Sequence, residues 1–146
     1  MLQVDFYIVP DQTPDARYRL ACRLGEKAYQ LGHRVYLYTE NLAQAELLDD
    51  LLWTFKAESF LPHEIYPAAK APPPPLLIGF DPDPNCDADV LINLTQEVPP
   101  FYGRFSRVVE LVDGNPASRE KARERYRNYQ GQGVTLNSHT LTKESQ

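Results

Sequence analysis

The chain opens on an alternating run, Val4-Asp5-Phe6-Tyr7-Ile8-Val9, which stops at Pro10 and reads as a first strand. The period then changes. Thr13 stands where a helix cap is wanted, Pro14 at the first helical position, and Leu20, Ala21, Leu24, Ala28 and Leu31 make an apolar stripe about 100° wide that Gly32 ends. Arg34-Val35-Tyr36-Leu37-Tyr38 is a second strand. A β-α-β opening of this kind normally gives a right-handed crossover between parallel strands.

Asn41 caps a second helix with an unusual distribution of apolar positions. Ala45, Leu48 and Leu52 share one face, but Leu47 and Leu51 lie roughly 100° or more from its centre, and Trp53 follows. A helix on one side of a sheet needs a single apolar face, so the surplus, with Phe55, Phe60, Leu61 and Pro62, predicts a protein interface. Pro72 to Pro75 form a stiff polyproline connection. Leu76 to Phe80, Asp89 to Leu94 and Ser106 to Val112 are the remaining strand candidates, the first two nearly all apolar as in buried parallel strands. The expected fold is therefore α/β: three layers, a mostly parallel sheet of about five strands flanked by helices, Rossmann-like without a phosphate-binding loop. One domain is expected over residues 1–141, with a frayed tail at 142–146.

Candidate chemistry narrows the picture mostly by exclusion. The turn after the first strand, Pro10-Asp11-Gln12-Thr13-Pro14, has neither a G-x-G-x-x-G nor a phosphate-loop lysine, so a pyrophosphate finds no backbone cradle there. There is no G-x-S-x-G elbow, His33, His63 and His139 are dispersed, and no catalytic set emerges. The acidic loop Asp81 to Asp89 resembles a calcium loop only in its alternate carboxylates, since Cys86 and Ile92 stand where Gly and Glu are required. No metal or cofactor is expected. Cys22 and Cys86 lack metal-type spacing and read as reduced thiols. With no apolar run near the roughly 20 residues of a membrane span and no signal-peptide pattern at Met1 to Asp5, a cytoplasmic protein is expected. A small-molecule or nucleotide-binding enzyme working at the carboxyl ends of the strands remains the alternative on architecture alone.

Charge adds one positive feature. Between Pro116 and Gln130 five Lys/Arg stand against two Glu, giving +3 in a chain of net charge -5. That balance argues against direct nucleic-acid binding by the whole surface. On a helix Arg119, Arg123 and Arg127 fall within about 80° of one another, with Tyr126 about 20° from Arg119. Such a stripe suits carboxylates or phosphates, gripped by guanidinium forks, with a ring beside them for something flat or apolar, and leaves room for an acidic peptide.

Several blocks in order also resemble the chi subunit of the bacterial DNA polymerase III holoenzyme. They are Asp5-Phe6-Tyr7, Gly32-His33-Arg34-Val35, Leu52-Trp53, Glu58-Ser59-Phe60-Leu61-Pro62-His63, Asp89-Val90-Leu91-Ile92-Asn93-Leu94, Ala122-Arg123-Glu124-Arg125-Tyr126-Arg127 and Gly133-Val134-Thr135-Leu136-Asn137. The Trp to Ser-Phe-x-Pro-His block and the Ala-Arg-Glu-Arg-Tyr helix are specific in combination, whereas Tyr66 to Asp87 matches no motif. The resemblance implies a non-catalytic subunit of the clamp-loader assembly that binds the acidic C-terminal tail of single-stranded DNA-binding protein and joins the clamp loader through a psi subunit. It assigns Arg119, Arg123 and Arg127 to the tail's carboxylates, Tyr126 and Val112 to a pocket for its terminal Phe, and Trp53, Phe60, Leu61, Pro62 and His63 to psi docking.

Overall fold

The computed structural model describes residues 2–10, 14–55, 61–67, 72–82, 84 and 86–141. Its strands are β1 (Gln3–Ile8), β2 (Val35–Tyr38), β3 (His63–Ile65), β4 (Leu76–Gly79), β5 (Val90–Asn93), β6 (Arg107–Val112) and β7 (Thr135–Thr140). They form one sheet in the order β3-β4-β2-β5-β6-β1-β7, with every pairing parallel. The helices are α1 (Pro14–Gln30), α2 (Leu42–Thr54) and α3 (Pro116–Gly131).

The α/β expectation holds, the parallel sheet included, with one correction: among the described residues the sheet has seven strands where about five were expected. Both additions are edge strands. β3 is three residues long, too short for a period to register. β7, Thr-Leu-Asn-Ser-His-Thr, has one apolar residue and therefore no alternation to read; it is a strand because β1 offers it a ladder from Gln3↔Thr135 to Ile8↔Thr140.

Alternation along the strands sends side chains to two layers. α1 and α2 cover one face, where Ala21, Ala28, Ala45, Leu48 and Leu52 meet Leu37, Ile78, Ile92 and Val109. On the other face Ala122 and Tyr129 of α3 pack on Val4, Phe6 and Val108, and Phe101 and Phe105 fill the layer over Tyr36 and Leu91. The helix stripes are largely as the sequence predicts: Leu20, Ala21 and Ala28 are buried and Leu24 is partly so. Leu31 is the exception at 68% exposed, because the helix ends at Gln30 and Gly32 turns the chain with φ +86. In α2 the Asn41 cap accepts from Gln44 N at 2.9 Å, and Ala45, Leu48 and Leu52 are the buried face. The expected Thr13 cap lies outside the described residues.

A charged cluster locks the β6-β1-β7 end of the sheet. Buried Asp5 accepts from Arg107 Nε at 2.7 Å and from Gln3 Nε2 at 3.0 and 3.1 Å, while Arg107 Nη2 donates to the Tyr7 hydroxyl at 2.8 Å. His139 on β7 stacks on Tyr7 with ring centroids 4.6 Å apart. Burial by itself pushes the Asp5 carboxyl up, but the hydrogen bonds from Arg107 and Gln3 and the Arg107 charge outweigh it and hold the group below its usual range. The folded state then binds this proton less tightly than the unfolded chain. Its stabilisation is complete above the ordinary aspartate value of about 3.9 and is lost as pH falls through the lower folded value. Asp5→Asn is expected to lower the melting temperature at pH 7, where Arg107 loses its carboxylate, and to flatten the loss of stability below about pH 4. Thermal melts across pH check this; an acid limb as steep as that of the unaltered protein would free Asp5 from the role.

Candidate functional site

α3 is set at its start by local chemistry. Asn115 Oδ1 accepts from Ala117 N at 2.9 Å and Ser118 N at 3.4 Å, Pro116 occupies the first turn, and Asp113 Oδ1 accepts from Asn115 N at 3.0 Å. What sets the helix's roll is a buried ion pair. Arg125, counted from sequence among the helix's basic residues, is 4% exposed, and its Nε donates to Glu110 Oε1 at 2.9 Å from inside the protein. Glu110, on β6, also accepts from the Tyr129 hydroxyl at 2.7 Å and from Asn93 Nδ2 at 2.9 Å, and Arg125 Nη1 donates to Gln96 O at 3.1 Å. Burial pushes the Glu110 carboxyl above its usual range, against the pull of Arg125, Tyr129 and Asn93.

With Ala122, Arg125 and Tyr129 turned inward, Arg119, Arg123 and Arg127 are exposed and Tyr126 is half-buried at the boundary. There a cleft of about 180 Å³ opens between the helix and the sheet, lined by Phe6, Ile8, Val112, Ala122, Tyr126 and Ser138 with Arg119 and Arg123 at its rim. Tyr126 is held against Phe6 at 5.3 Å between ring centroids. Arg123 is engaged at one point, donating from Nη1 to Glu120 Oε2 at 3.1 Å in an exposed pair. Among the described residues no acid lies within 4.0 Å of the Arg119 or Arg127 guanidinium. An apolar recess with cations at its mouth can take an apolar side chain that carries carboxylates close by.

Of the predicted residues, then, Val112, Arg119, Arg123 and Tyr126 come together, and Arg127 continues the stripe outside the lining. Sequence reasoning missed Phe6, Ile8 and Ser138. Phe6 and Ile8 carried a signal, being the α3-side residues of a strand already recognised; Ser138 carried none, because β7 was not read as a strand.

The family model for the DNA polymerase III chi subunit, HolC, matches residues 1–137. The chain is 44% identical over 143 residues to DNA polymerase III subunit chi of Pseudomonas aeruginosa, an alignment covering 98% of this chain and 99% of that one. It is 31% identical to the Haemophilus influenzae protein of the same name, over 93% and 95% of the two chains, and 30% identical to that of Escherichia coli, over 96% and 99%. This chain belongs to the DNA polymerase III chi subunit family. It is thus an accessory, non-catalytic subunit of a DNA polymerase III holoenzyme and has its partners within the replication complex.

The second group of predicted residues in this chi-family chain divides between surface and core. Trp53 is 56% exposed and Pro62 is exposed, whereas Leu61 and His63 are buried and Phe60 lies outside the described residues. His63 holds the place together: Nδ1 lies 2.6 Å from Leu61 O, Nε2 3.1 Å from Asp49 O and 3.3 Å from Asp49 Oδ1, and the Trp53 ring covers it at 4.4 Å between centroids. Leu47, one of the surplus apolar positions, is 44% exposed, while Leu51 packs partly on the core.

Elsewhere, polar groups at the carboxyl ends of the central strands bond one another. Thr39 Oγ1 donates to Gly79 O at 3.0 Å, Thr95 Oγ1 to Asn93 Oδ1 at 2.7 Å and Arg17 Nη1 to Leu94 O at 3.4 Å. Cys22 is buried within α1 and its thiol is pushed up to about 12 by burial. Among the described residues no group of three or more His, Cys, Asp or Glu could hold a metal, and no helix is long and apolar enough to cross a membrane.

The roles of the helix's arginines separate in a stability measurement. Arg125→Met leaves Glu110 buried without its cation and is expected to cost about 3–5 kcal/mol in urea unfolding, whereas Arg119→Ala should stay within about 0.5 kcal/mol of the unaltered protein. Equal effects of the two would remove the Glu110 pair as the anchor of α3.

Proposed function

We propose that this chi-family chain links the clamp-loader assembly to protein-coated single strands by binding the acidic C-terminal tail of single-stranded DNA-binding protein in the cleft beside α3. One observation carries the reading: an apolar recess between Phe6, Val112 and Tyr126 has Arg119 and Arg123 at its rim. A tail ending in an apolar residue and a free carboxylate, with aspartates upstream, matches that distribution group for group. Arg127, one turn beyond Arg123, extends the cationic stripe toward the upstream acids.

A titration of labelled acidic peptide ending in Pro-Phe tests it. Arg123→Ala or Arg119→Ala is expected to weaken binding by about 1.5–3 kcal/mol through loss of charge-assisted hydrogen bonds, and the effect should shrink as salt is raised. Tyr126→Ala should weaken it through the apolar recess, with an effect that survives salt better. Equal affinity for all variants at low salt would take the helix out of the site.

Docking to a psi-like clamp-loader subunit is the second half of the proposed role, supported by the exposed Trp53 and Leu47 on α2. Trp53→Ala is expected to weaken that complex by about 2 kcal/mol or more while the melting temperature changes little. If melting collapses and the surviving folded fraction binds normally, Trp53 belongs to the core.

A further inference from the structure

The sheet's two edges are unlike. β3 closes one side with three residues, but β7 leaves six at the other, and they include no Pro or Lys of the kind that blunts exposed edges. Leu141 N donates to Ile8 O at 2.8 Å, which together with the parallel register turns the backbone groups of Asn137, His139 and Leu141 toward β1. The N–H and C=O of Leu136, Ser138 and Thr140 therefore face outward, and among the described residues no strand pairs with them.

This edge is continuous with the cleft. Ser138 lines the recess with its side chain while its backbone faces the free edge, so a chain leaving the recess past Ser138 reaches the position of an eighth strand within about one strand spacing of 4.8 Å. Side chains of a strand added there would alternate between the two layers, and every second one would lie on the α3 side with Arg119 and Arg123. An acidic segment meets complementary charge in that layer.

We infer that the free edge of β7 is a second part of the peptide site, and that it pairs in extended form with the acidic residues upstream of the peptide's terminal apolar residue. The inference rests on the proposed tail-binding role of the cleft. Backbone pairing supplies affinity that does not depend on which acids are present, and the arginines select for acids over other side chains.

The experiment compares two peptides, an acidic nonapeptide ending in Pro-Phe and its last three residues alone, on the unaltered chain and on Thr140→Pro. Proline removes one outward N–H at an exposed edge position and leaves the Leu141 bond to Ile8 in place. Thr140→Pro is expected to weaken the nonapeptide about fivefold and to leave the tripeptide unchanged. Hydrogen exchange gives a second readout: on adding nonapeptide, the Leu136, Ser138 and Thr140 amides should become protected, while those of Asn137 and His139 are already slow. A nonapeptide bound equally by both proteins, with no new protection at these amides, would overturn the edge while leaving the cleft standing. Failure of the tripeptide and nonapeptide to bind at all would instead remove the cleft. Protection that appears without peptide and rises with protein concentration would assign the edge to a second copy of this chain and overturn the inference.

Discussion

The buried pair between Glu110 and Arg125 is the constraint on which the candidate site depends. Removing a carboxylate and a guanidinium from water opposes folding by several kcal/mol per ion, and the pair persists because both carboxylate oxygens and a second guanidinium nitrogen find further partners. Here Tyr129, Asn93 and the Gln96 carbonyl supply them. A helix tied at that point cannot roll. Arg119 and Arg123 are consequently held at the mouth of the recess, and Tyr126 is fixed against Phe6. The same tie joins β5, β6 and α3, and two of these, β6 and α3, supply walls of the recess.

The order of strands separates the two proposed binding surfaces. α2 packs on β3 and β4 at one end of the sheet, whereas α3 packs on β6 and β7 at the other end and on the opposite face. Trp53 and the cleft thus share no residue, and a partner at one leaves the other open. That separation suits a linking subunit, which has to hold two partners at once. Among the described residues, Thr39, Thr95 and Arg17 at the carboxyl ends of the central strands each donate a hydrogen bond within the fold.

The sequence by itself determined the layers and the cationic stripe. Val4 to Ile8 alternates, Leu76 to Gly79 and Val90 to Ile92 are apolar throughout, and Asn41 and Asn115 announce two helix starts, because pleat, burial and capping act over neighbouring residues. Arg119, Arg123 and Tyr126 were legible for the same reason, since helical spacing alone puts them side by side. Tertiary structure decided the rest. β7 has no apolar rhythm and becomes a strand only against β1, so Ser138 and the floor of the cleft could not be placed beforehand. Arg125 has the same chemistry as its neighbours in the helix, and only a carboxylate fifteen residues earlier, buried on β6, turns it from a surface charge into the anchor of the site.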